Sequence, residues 1–61
     1  NPLYEEGYRQ LMILYTNMKL YNEALQAFEA CKASLQSHLG TEPDPLTVSL
    51  WRKALSKLRS T

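Results

Sequence analysis

Cysteine is almost missing from this chain of 61 residues, which has only Cys31, so no disulfide can close within it and nothing ties it to an oxidising compartment. Histidine is as scarce. His38 stands alone, and no second histidine or paired cysteine completes a metal site. The two glycines, Gly7 and Gly40, lie far apart, which excludes a glycine-rich phosphate loop. There is no run of about 20 apolar residues to cross a membrane and no charged-then-apolar leader. These absences predict a soluble, cytoplasmic chain with no membrane partner. Acidic residues stop at Asp44, after which Arg52, Lys53, Lys57 and Arg59 follow with no negative counterpart.

The same scarcity argues against an enzyme. Covalent catalysis needs a nucleophile, a base and an orienting group that converge. Cys31 and His38 are seven residues apart on one predicted helix, roughly 10 Å by helical rise, too far for a hydrogen bond. Cys31 reads as a buried thiol and His38 as a charge-compatible residue in a last helical turn. Glu5 and Glu6 are adjacent, point about 100° apart on a helix and read as first-turn charges rather than a catalytic pair. No catalytic, cofactor-binding or metal-binding residue is assigned, and no cofactor is expected.

What the chain does contain is helical periodicity in three segments, an all-α pattern. Asn1 is placed to cap a first helix over about residues 2–17, with Pro2 at its first position. Tyr4, Tyr8, Leu11, Tyr15 and Met18 step by four and three along one face, broadened by Met12 and Leu14. Gly7 interrupts this helix and is expected to admit a close neighbour. Asn17 is expected to leave the helix in a left-handed turn and Asn22 to cap the next one. The second helix, over about 22–39, carries Ala24, Phe28, Cys31, Leu35 and Leu39 on one face and stops at Gly40. The short connection makes helices one and two antiparallel neighbours, with Ala24, Ala27 and Cys31 leaving room for the rings of Tyr8 and Tyr15.

Gly40-Thr41-Glu42-Pro43-Asp44-Pro45 is the strongest punctuation, because two prolines forbid helix continuation. Asp44 is expected to cap a third helix over about 45–59. Val48, Trp51, Leu55 and Leu58 form its apolar stripe, with Leu50 and Ala54 beside it. The predicted core is therefore Tyr8, Leu11, Tyr15, Ala24, Phe28, Cys31, Leu35, Trp51 and Leu55. Arg52, Lys53 and Lys57, with Arg59, are a candidate polar partner surface, against the plainer reading of a solvated face whose cations suit a helix C-terminus.

The spacing Tyr8-x2-Leu11-Met12-x2-Tyr15, followed by Tyr21, Ala24, Phe28 and Cys31, resembles one tetratricopeptide repeat. Met12 stands where that pattern has a small residue and Gln36 where a proline is common. A closer resemblance runs through Pro2-Leu3, Leu11-Met12, Leu14-Tyr15, Asn22-Glu23-Ala24-Leu25 with Phe28, and Leu39-Gly40-x-Glu42-Pro43-x-Pro45 leading to Leu50. On these residues the chain resembles the C-terminal part of the bacterial transcriptional activator domain. It differs in having Leu20-Tyr21 where that family often has Gly-Arg, and fewer arginines in its second helix.

The resemblance implies a tetratricopeptide-like hairpin with a third packing helix, as part of a larger helical domain that commonly follows a winged-helix DNA-binding domain in antibiotic-pathway regulators. The start at Asn1-Pro2 fits a piece of a longer polypeptide. The function expected is a non-catalytic protein-interaction or oligomerisation module of a transcriptional regulator, its partner a second copy or neighbouring domains, with DNA bound by a separate domain. The alternative is a helical-repeat fragment of a signalling protein that holds a peptide or ligand in a groove, with Arg9, Asn17 and Lys19 as polar contacts. A weaker one is direct DNA contact through the basic third helix. The Pro43–Pro45 connector is too rigid for a helix-turn-helix.

Overall fold

Pro2 has a backbone torsion already suited to a helix and no N–H to leave unpaired, and it opens α1 (Pro2–Asn17). The computed structural model describes residues 2–60, with side chains from Glu5 onward. The expected cap at Asn1 and the packing of Tyr4 lie outside the described residues. Two further helices follow, α2 (Tyr21–His38) and α3 (Pro45–Ser60), and no strand occurs among the described residues.

The turn after α1 is a Schellman motif, set two residues later than expected. Lys19, not Asn17, takes the left-handed conformation, with φ 63°. The Leu20 N–H reaches back to the Tyr15 carbonyl at 2.8 Å and the Lys19 N–H to the Thr16 carbonyl at 3.0 Å, which satisfies two of the helix's last carbonyls. The chain therefore re-enters a helix at Tyr21. Leu20 is the N-cap, with no side-chain cap bond, and Asn22 sits inside the first turn rather than capping it. α2 ends on the left-handed Gly40, φ 63°, whose N–H donates to the Gln36 carbonyl at 3.2 Å. Leu39 falls past the helix end and is 48% exposed, so it does not extend the buried face as expected. At α3 the Asp44 side chain accepts the Leu46 N–H at 2.9 Å and its carbonyl accepts the Val48 N–H at 3.1 Å, an N-cap ahead of Pro45.

α2 packs against both other helices and supplies most of the buried residues: Ala24, Ala27, Phe28, Cys31 and Leu35. A three-residue connection folds α1 back against it as an antiparallel hairpin, and α3 packs on both. Met12, Ala27 and Phe28 form one cluster, closed by Tyr15, Val48, Leu50 and Trp51. Within it the rings of Phe28 and Trp51 stack at 5.2 Å and 23°, fixing where α3 sits on α2. Small residues, Ala24, Ala54 and Cys31, all at 0% exposure, allow close approach elsewhere.

Two expectations on α1 are corrected. Leu11 is 41% exposed while Met12, about 100° further round the helix, is 1% exposed. The reason is α3: its first turn binds Glu5, which rotates the inward face of α1 toward Glu5, Arg9, Met12 and Thr16. Gly7 admits no neighbour, since a Cβ built there would meet nothing within 4 Å.

Candidate functional site

Three features carry polar or unpartnered chemistry: a junction between α1 and α3, an apolar stripe on α1 and the outer face of α3. The junction is built on Glu5, whose Oε2 accepts the Asp44 N–H at 2.6 Å and the Thr47 hydroxyl at 2.5 Å. Arg9 Nη1 donates to Thr47 Oγ1 at 3.1 Å and lies 3.8 Å from the same Glu5 oxygen, while its Nη2 donates to Glu6 at 3.3 Å. A carboxylate one turn into α1 thus answers the positive end of α3. Thr47 is fully buried under it, and no buried side-chain nitrogen or oxygen among the described residues lacks a partner. In the sequence Glu5 reads only as a first-turn charge. The available signal was α3 itself, whose first N–H groups need an acceptor, together with a threonine on its apolar side.

The junction holds structure together and offers no catalytic arrangement. Cys31, buried beside it, has its thiol pushed up by desolvation first and by the Glu5 charge second, against the Arg9 charge, so the thiolate is disfavoured. His38 is exposed, its Nδ1 donating to the Ser34 carbonyl at 3.0 Å, and does not meet Cys31. No group of three metal-ligating side chains occurs among the described residues. A shallow recess at the α1–α2 turn, between Lys19, Tyr21, Glu23 and Leu58, brings no nucleophile to a base.

Of the predicted core, Ala24, Phe28, Cys31 and Leu35 are buried, whereas Tyr8, Tyr15, Trp51 and Leu55 are half-buried and Leu11 is exposed. Leu11 and Leu14 instead share a stripe with Gly7 on α1, continued by Met18 just past the helix end, at 41%, 52% and 56% exposure. Arg52, Lys53 and Lys57 are exposed on α3 beside Arg59. Arg9 turns into the Glu5–Thr47 junction rather than toward a groove, and Asn17 and Lys19 are exposed at the first turn.

A three-helix hairpin assembly with a Leu-Gly-x-Glu-Pro-x-Pro junction is the frame in which the family comparison is decisive. The family model of the bacterial transcriptional activator domain matches residues 1–55. The chain belongs to that family. No curated protein and no solved structure matches it. For this activator domain the family is a regulatory one, and no described helix is long and apolar enough to cross a membrane.

Proposed function

We propose that this activator domain works without catalysis, as a self-association surface of a transcriptional regulator, through the α1 stripe. The observation that carries the reading is the spacing of that stripe. Gly7, Leu11, Leu14 and Met18 step by four, three and four, a pattern that reads the same in both directions. Two copies of α1 laid antiparallel about a two-fold axis then set Leu11 of each against Leu14 of the other. They also set Met18 against Gly7, where a side chain is missing and the space is open. A flexible methionine over a glycine is a knob and hole matched in shape as well as polarity. Three large apolar residues, 41–56% exposed, gain burial.

Sedimentation equilibrium on the 61-residue chain tests it. A mass that rises with concentration toward the dimer, and stays monomeric in Leu14→Lys, is expected. A well-folded chain that remains monomeric at every concentration overturns the reading.

A further inference from the structure

We infer that the outer face of α3 is a contact surface for the phosphate backbone of duplex DNA, read without regard to base sequence. Between Ser49 and Ser60 every exposed residue is serine, lysine or arginine: Ser49, Arg52, Lys53, Ser56, Lys57, Arg59 and Ser60. The ion pairs among the described residues belong to Arg9, and none reaches the four cations of α3. Four of the chain's seven basic side chains are thus on one helix with no counter-charge on it. Ser56 is central. Arg52 and Lys53 precede it by one turn and Arg59 follows by one, so a short hydroxyl side chain is ringed by cations on the helix surface. The exposed α2 face, by contrast, mixes Glu23, Glu29 and Lys32.

Cations with short hydroxyl donors between them are the side chains that contact phosphate oxygens. The face contains no asparagine, glutamine or acidic residue to read adenine or cytosine edges, and its arginines and lysines, which can also pair with guanine, are assigned to phosphate oxygens. An acidic protein surface fits less well, because protein interfaces centre on apolar and aromatic side chains and this face has none. A lipid surface fits less well too, since a membrane-surface helix buries its apolar face in lipid, whereas α3 turns Trp51 onto Phe28. The contact adds DNA affinity to whatever a separate domain supplies, and it does not depend on self-association.

The test is fluorescence anisotropy of a labelled duplex of arbitrary sequence titrated with the chain over a range of salt. Binding at low salt is expected, with log K falling against log salt at a slope of about −3 to −4, as for up to four neutralised phosphates. A shuffled duplex should bind equally. Lys53→Gln with Lys57→Gln, or Arg52→Gln with Arg59→Gln, should each reduce the slope by about two, with helix content by circular dichroism unchanged. If a Gln pair loses helix, Lys53→Arg with Lys57→Arg, which keeps the charges, must retain the parent slope. No binding at the lowest salt overturns the inference, as does a parent slope kept by folded Gln pairs or lost from the Arg pair. Tighter binding to polyglutamate or to phosphatidylserine vesicles than to the duplex also overturns it, in favour of an acidic protein or a lipid surface.

Discussion

Lys19 holds a left-handed conformation that glycine adopts without a Cβ penalty, because the Schellman turn needs that geometry whatever residue stands there. Lys19→Gly should therefore stabilise the fold by about 1 kcal/mol, seen as a higher urea midpoint with an unchanged slope. Glu5 is a second leverage point. Glu5→Ala strips an acceptor from both Thr47 and the Asp44 N–H, and should cost about 2 kcal/mol. Cys31 adds a pH dependence. Its thiol pKa is raised on folding from an ordinary value of 9.0, so the unfolded chain loses that proton first. Its contribution is complete below about pH 9 and is lost as pH rises through the higher folded value. Urea melts of the parent and of Cys31→Ala should accordingly converge above pH 9, since the variant lacks this term.

At the scale of the helix, α2 and α1 were not equally legible. The apolar residues of α2 follow one period, so Ala24, Phe28, Cys31 and Leu35 can face only one way. α1 carries two neighbouring stripes, Tyr8–Met12–Tyr15 and Leu11–Leu14–Met18, and periodicity alone cannot choose between them. The choice is made by Glu5, 39 residues before the N–H it binds, a long-range pairing that no local pattern encodes. α1 ends at Asn17 as its spacing predicts, but the left-handed residue and the cap of α2 fall elsewhere than expected for a similar reason. Propensity favoured Asn17 and Asn22, while the bonds of Leu20 and Lys19 to α1 set the turn. The open space at Gly7 separates helix propensity from association. Gly7→Ala should stabilise the monomer by about 1 kcal/mol in thermal melts, as in any exposed helix interior. Gly7→Leu gains the same propensity but fills the hole proposed for Met18, so it should raise helix content while weakening dimerisation in sedimentation.

For the whole molecule, the balance of burial and chain entropy in a fold of this size is close to even, and binding to a second copy then shows as stability. The three helices extend over 35 × 16 × 16 Å, a slender body whose α1 stripe runs along the surface instead of into a core. Anything that binds the folded form alone raises its apparent stability with concentration. Thermal melts of the parent chain should consequently move to higher midpoints as concentration rises, whereas those of Leu14→Lys should not move. Leu14 is 52% exposed, so its replacement leaves the Met12–Phe28–Trp51 cluster intact and the variant melt reports the monomer. Trp51→Ala acts on the other term. It removes the stack that seats α3 on α2, should cost about 3 kcal/mol, and should lower the midpoint equally at every concentration. A concentration-dependent midpoint that survives Leu14→Lys would place the association surface elsewhere than on α1.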